Sequence, residues 1–305
     1  MADEKRLLLH VGLPKTATTS LQKWCDDNRA LLGSYGVDYP ETDPAEAARK
    51  HQFVVADLMA GSLERIGQLL DRAAPDRRLL ISTEGLTNHL YDFPAESLAR
   101  FRALLAGWHV EAFLVVRAAE AWVRSYYKQL VLNPPWLQYG YATGLTLDEV
   151  SRLPRVRRLL DHARLEDDLR HRLGAASVTV RQFERDWFGG FRSWLGLDDG
   201  TTWPLPGHEH ASCADDVVEL VRLINRMGLS ADVRGHCLST LATTLATTGR
   251  RPDRGLGQII HVYTPLPDRA AADTAWRQVV AELLRVTEPG GTTRALAQML
   301  AEARS

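Results

Sequence analysis

Short, nearly continuous apolar runs, each followed by a turn and a stretch of helical periodicity, constrain this chain more than any other feature. Leu7 through Gly12 is the first such run, and Arg78 through Thr83, Val110 through Val116 and Ala176 through Arg181 repeat the pattern. A run that is apolar at both alternating positions suits a strand buried on both faces. Strands separated by helix-length segments need crossover connections, which predicts a largely parallel sheet in a three-layer α/β fold flanked by helices. The first helix is expected over Thr18 through Leu32, where Leu21, Trp24, Cys25 and Leu31 or Leu32 line one stripe. In such a sheet, ligands bind beyond the carboxyl ends of the strands.

A chain of 305 residues is long enough for one large domain or two small ones. Beyond Asp198 the texture changes: residues 200–207 are rich in Gly and Pro, and helical sequence then runs from Asp215 to the end, interrupted by a loop over 249–267. The expected division is therefore an α/β core over 1–198 and a mostly helical C-terminal extension over 199–305. A formal net charge of −1 supplies no global field to attract nucleic acid or an anionic membrane, so an anionic ligand needs a local site. No segment approaches the ~20 apolar residues of a bilayer span. The N-terminus reaches only a short apolar stretch, without the features of a secretory signal. Three scattered cysteines, Cys25, Cys213 and Cys237, suit neither a disulfide framework nor a paired zinc motif. The expectation is a cytoplasmic protein with reduced thiols, without nucleic-acid, membrane or metal partners.

The segment Gly12 through Gln22 joins the first strand to the first helix and puts Lys15, Thr16, Thr18, Thr19 and Ser20 at a helix start. Free N–H groups and the positive end of the helix dipole favour an anion there, and Lys15 adds a charge. A Walker-A loop is the nearest rival but needs glycine immediately before its lysine. Pro14-Lys15-Thr16-Ala17-Thr18-Thr19 resembles the Pro-Lys-[Ser/Thr]-Gly-Thr-Thr loop of sulfotransferases that use 3′-phosphoadenosine 5′-phosphosulfate (PAPS). The resemblance implies a P-loop-like sulfotransferase fold and a site for the cofactor's 5′-phosphosulfate. Two departures stand out. Ala17 replaces glycine, which suits a position with an ordinary φ, and Ser20 replaces a tryptophan frequent in cytosolic members, so adenine stacking would come from elsewhere.

A second anchor follows the third of these runs. Arg117 stands at its end and Ser125 eight residues later, the spacing at which the resemblance implies ligands for the cofactor's 3′-phosphate. Ala118 and Ala119 replace the family's Asn-Pro or Asp-Pro there. By residue type alone, Arg117 equally suits an ion pair with a nearby acid. Arg181, at the end of the last run, is either a further phosphate ligand or a partner for Glu184. The stretch from Phe183 to Leu197 resembles one in bacterial sulfotransferases, and its aromatics are expected in the core.

Sulfuryl transfer requires a base for the acceptor and a cation for the departing phosphate. Lys15 suits the cation, and no metal is needed. Glu84, at the end of the second run, is delivered to the same sheet edge as Lys15 and Arg117, and its placement is similar to the catalytic glutamate of heparan-type members; by residue type alone it equally suits a helix cap or an ion pair with a cation. Cytosolic small-molecule members generally use histidine, so His51 stands as the second candidate base and His89 lies close to Glu84. His10, inside the first run, reads as structural. Arg152 through Arg172 interleaves arginines with acids, which predicts a salt-bridged helical surface. Trp136, Tyr139 and Tyr141 are candidates for an acceptor-facing loop, and the acceptor is a small molecule or a glycan. Two other classes stay open: a Mg²⁺-dependent nucleotide kinase or NTPase, and a non-catalytic phosphoadenosine-nucleotide-binding protein.

Overall fold

The chain folds around five strands, β1 (Lys5–His10), β2 (Val37–Asp38), β3 (Arg78–Ser82), β4 (Trp108–Val116) and β5 (Ser177–Gln182), all parallel and in the order β2-β3-β1-β4-β5. This is a computed structural model, and it describes residues 5–41, 49–134, 140–183, 187–197, 213–247 and 269–302. The helices are α1 (Thr18–Asp27), α2 (Arg29–Ser34), α3 (Phe53–Ala60), α4 (Glu64–Arg72), α5 (Gly85–Asn88), α6 (Ala95–Leu104), α7 (Ala119–Leu132), α8 (Leu147–Ser151), α9 (Pro154–Leu160), α10 (His162–Leu173) and α11 (Trp187–Trp194). Four more follow: α12 (Asp215–Arg226), α13 (Ala231–Thr247), α14 (Arg269–Val286) and α15 (Thr292–Glu302).

The four apolar runs become β1, β3, β4 and β5, and the two-residue β2 adds an edge beside β3. Leu8, Leu80, Phe113 and Val115 on one face of the sheet join a cluster with Leu21 and Trp24 of α1, Leu32 of α2 and Phe188 and Phe191 of α11. Leu7, Leu9, Leu79, Ile81, Ala112 and Leu114, of opposite parity, are equally buried, so both faces of the sheet are covered. Each of the leucine, isoleucine, valine and phenylalanine side chains contributes about 1.5–3 kcal/mol when fully buried. Two aromatics of α11 are core, Phe191 meeting Phe113 edge-on at 5.3 Å and Phe188 meeting Trp24 at 4.9 Å, while Phe183, Trp187 and Trp194 are partly buried against that cluster.

One helix expected over 18–32 is two. Asn28 ends α1 by sending both its N–H (3.0 Å) and its side-chain amide (2.8 Å) to the Trp24 carbonyl, a local competition that halts the ladder before α2 begins. The arginine-rich stretch forms i,i+4 ion pairs, Arg152 with Asp148, Arg170 with Glu166, and Arg164 and Arg172 with Asp168.

The chain divides into two compact units. One comprises Met1–Trp122 with Pro154–Glu209 and holds the whole sheet; the other comprises Val123–Leu153 with His210–Ser305. The second unit thus takes in residues 123–153 besides the tail, in contrast to the single cut at 198. Its core brings Val131 and Leu132 of α7 against Val221, Leu241, Trp276 and Leu296. The stretches 200–207 and 249–267, and the candidates Trp136, Tyr139 and Glu184, lie outside the described residues. Among the described residues, no helix is long and apolar enough to cross a membrane.

Candidate functional site

β1 lies between β3 and β4, and the chain places β2 and β3 on one side of it and β4 and β5 on the other. The carboxyl end of β1 is therefore a topological switch point, where an open parallel sheet leaves a crevice. The loop there is tied down on several sides. The N–H groups of Val11 and Leu13 donate to the carbonyls of Phe113 (3.0 Å) and Val115 (3.1 Å), continuing β1 alongside β4. Trp122 Nε1 donates to the Pro14 carbonyl at 2.8 Å, and the Thr87 hydroxyl sits 2.8 Å and 3.0 Å from the carbonyls of Val11 and Gly12. Gly12 sits in a crowded place: a β-carbon there would stand 3.0 Å from His10 Nε2 and 3.1 Å from Thr18 Cγ2, so those side chains would have to give way by a few tenths of an ångström.

Within this frame Lys15 and Ala17 hold φ values of 68° and 58°, with Thr16 between them outside the positive-φ region. Such alternation turns successive N–H groups toward one side, the concavity that suits an anion. The ordinary φ expected at Ala17 is thus corrected: the residue is left-handed, the conformation that favours glycine. Ala17 is also the residue before α1 and offers no side-chain cap, so the first-turn N–H groups of Thr18, Thr19 and Ser20 face the same end of the helix uncapped. Lys15 is exposed, while Thr16, Thr18 and Ser20 are buried. The Thr16 hydroxyl donates to the Leu13 carbonyl at 2.6 Å, so its side chain shapes the loop and only its N–H is left for a ligand.

Glu84 follows β3 and meets two donors: Gln22 Nε2 at 2.9 Å on one carboxylate oxygen and Lys50 Nζ at 3.1 Å on the other. Burial opposes its ionisation, but the Lys50 charge, the Gln22 amide and a backbone N–H outweigh burial and hold the carboxyl below its ordinary range. The ion-pair alternative for Glu84 is therefore met by Lys50, although the sequence named neither Lys50 nor Gln22 as its partner. Gln22 was accessible from sequence, since it lies four residues after Thr18 and shares a helix face with it; Lys50 has no local signature.

His51 does not belong to the reacting site. It is fully buried; Nδ1 accepts from the Ser82 N–H at 2.9 Å, which leaves Nε2 as the donor to the Pro40 carbonyl at 3.2 Å. With both nitrogens committed to backbone, it has neither a lone pair nor a proton to offer a substrate, and burial lowers its pKa to about 4. His89 is held likewise, between Asn88 and Asp92. His10 keeps Nδ1 2.7 Å from the Ser82 hydroxyl inside the core, and burial lowers its pKa to about 4 as well.

Arg117 leaves the end of β4 half-buried and stacks its guanidinium over the Phe183 ring at 5.4 Å. Among the described residues it has no acidic partner, so the ion-pair alternative finds no support there. Arg181, opposite Val115 in the register, is exposed and lies along α11, where a β-carbon on Gly190 would come 3.0 Å from its Nε. Ser125 is half-buried on α7, beyond the point where that helix passes into the second unit.

Lys15, Glu84 with Lys50, and Arg117 thus leave the carboxyl ends of three neighbouring strands. At about 4.8 Å per strand, the ends of β3 and β4 stand roughly 10 Å apart across β1. Three cations and one carboxylate on an edge of that width favour a ligand with separated anionic groups. Among the described residues, no group of three His, Cys, Asp or Glu side chains is arranged to hold a metal. No protein-family model, curated protein or solved structure matches the chain.

Proposed function

We propose that this chain is a cytoplasmic sulfotransferase of P-loop-like fold that uses PAPS to sulfate a hydroxyl of a small-molecule or glycan acceptor. One observation carries the reading. An uncapped, left-handed helix-start loop after β1 adjoins an arginine without an acidic partner, among the described residues, at the end of the neighbouring strand β4. Two anion sites at adjacent strand ends suit a nucleotide with charge at both its 5′ and 3′ positions.

The cofactor supplies the sulfuryl group: its bond from sulfur to the phosphate oxygen breaks, the electron pair stays on the phosphate, and the acceptor oxygen forms the new bond to sulfur. Pro14 through Ser20 hold the 5′ end through backbone N–H groups, and Lys15 offsets the charge gathering on the phosphate. Arg117 holds the 3′-phosphate, and Ser125 is assigned to the same phosphate by its spacing. Arg181, exposed at the next strand end, is a further phosphate ligand. Glu84 takes the acceptor's proton. Lys50 and Gln22 keep it ionised at neutral pH, which lowers its basicity but fixes both its oxygens in place.

Isothermal titration calorimetry with 3′-phosphoadenosine 5′-phosphate, with AMP and with ATP·Mg²⁺ tests the cofactor assignment. The 3′-phosphorylated nucleotide is expected to bind at least tenfold tighter than AMP, about 1.4 kcal/mol; Arg117→Ala is expected to remove that preference, and Lys15→Ala to weaken both nucleotides together. Tighter binding of ATP·Mg²⁺ would favour the kinase or NTPase class. Glu84→Gln is expected to preserve nucleotide affinity and to cut sulfated product by about 10²–10⁴-fold in an assay with labelled PAPS and an acceptor pool. Unchanged turnover in that variant would remove Glu84 as the base. Nucleotide binding with no product from wild type would favour the non-catalytic class.

A further inference from the structure

α3 and α4 pack side by side and leave between them a groove of about 410 Å³. That size falls within the range of small-molecule sites. Phe53, Ala56 and Leu69 supply its apolar lining, and Gln52, Gln68, Arg65 and Arg72 supply the polar groups. Two of these are already engaged with one another: Arg65 lies 5.5 Å over the Phe53 ring and forms an ion pair with Asp57, whose carboxylate is nearly buried. That pair cancels most of its own charge. Arg72 has no acidic partner among the described residues, so the net charge of the groove is positive and concentrated at Arg72.

One lining residue, Gln52, touches the turn that carries the proposed base. Gln52 Oε1 accepts from the Thr83 hydroxyl at 3.2 Å, one residue before Glu84. The contact is close enough to require glycine at the next position: a β-carbon on Gly85 would stand 2.5 Å from Val55 Cγ2 and 3.3 Å from Gln52 Oε1. Lys50, just before α3, already binds Glu84. The groove therefore brings together a residue in contact with the turn that carries Glu84, an aromatic ring and an exposed arginine.

We propose that this groove is the acceptor subsite, and that it takes a small hydroxylated molecule with a flat apolar body and one carboxylate. The hydroxyl end would lie toward Gln52 and Glu84, the flat body against Phe53, and the carboxylate on Arg72. The word acceptor rests on the sulfotransferase reading; the groove's preference for a hydroxyaryl acid does not.

The test uses 4-hydroxyphenylacetate and its neutral counterpart 4-hydroxyphenethyl alcohol as probes, followed by the nitrogen–proton NMR signals of the Gln52 and Gln68 side-chain amides and of Arg72 Nε. The acid is expected to shift these signals and to bind at least tenfold more tightly than the alcohol. Arg72→Glu is expected to erase that preference, and Ala56→Trp, on an exposed helix face, to block both probes. Equal affinity for acid and alcohol, shifts confined to other regions, or no shift of these groups at about 10 mM probe would overturn the proposal. Titration of the same samples with 3′-phosphoadenosine 5′-phosphate keeps the two readings apart. If the nucleotide binds and the acid misses the groove, the groove proposal alone falls; if the acid fills the groove and the nucleotide does not bind, the cofactor reading falls.

Discussion

Ala17 carries a backbone conformation that its own side chain opposes. A left-handed φ costs an L-residue about 1–2 kcal/mol relative to glycine, while glycine gives back about 0.4–1 kcal/mol through the freedom of the unfolded chain. Ala17→Gly is thus expected to stabilise the protein by roughly 0.5–1 kcal/mol, read as a higher urea midpoint at unchanged slope. A lower midpoint would mean that the strain is absent. Such strain is typical of a loop whose N–H groups are held in place for a ligand. The residue types of the loop were legible in the sequence, but the handedness of Ala17 was not, because φ is set by what surrounds the loop. The same holds at His51, which looks like a base until two backbone partners are seen to take both its nitrogens.

At the scale of elements, α7 supports the loop after β1 through the bond from Trp122 Nε1 to the Pro14 carbonyl. Trp122→Phe leaves that buried carbonyl without a donor, at a cost of about 1–3 kcal/mol. It is expected to weaken binding of 3′-phosphoadenosine 5′-phosphate by roughly five- to tenfold, measured by calorimetry beside a urea titration. If stability falls and affinity does not, α7 holds the fold without organising the loop. The strands were legible as elements because four runs are apolar at both parities. β2 was not, since two residues carry no period, and the break at Asn28 depends on a side chain choosing a carbonyl over solvent.

Across the molecule, stability is expected to fall on the acid side well before carboxylates titrate. His10 and His51 are fully buried and neutral, with pKa values near 4 where the ordinary value is 6.5. Below pH 6.5 the unfolded chain binds protons that the folded chain refuses, so the stability present above pH 6.5 is lost as pH falls toward 4. The loss approaches about 3 kcal/mol per histidine, a large share of a typical ~5–15 kcal/mol total. Glu84, also held below its ordinary range, adds a loss of the same sign at lower pH. Urea midpoints measured between pH 7.5 and pH 4.5 should drop steadily below pH 6.5, and less steeply in His51→Gln. A flat profile would mean that these imidazoles are hydrated in the folded state.

The amino-acid sequence by itself determined the α/β class, the parallel sheet and the sheet edge to which Lys15, Glu84 and Arg117 are delivered. Each of these follows from local periodicity and from the position of a residue at the end of its run. Only the tertiary structure decided what surrounds those residues: the Lys50 and Gln22 donors on Glu84, the Phe183 ring under Arg117, the Trp122 bond to the loop and the return of residues 123–153 to the second unit. These are contacts between segments far apart in the chain. They depend on strand order and helix packing, which no local pattern encodes.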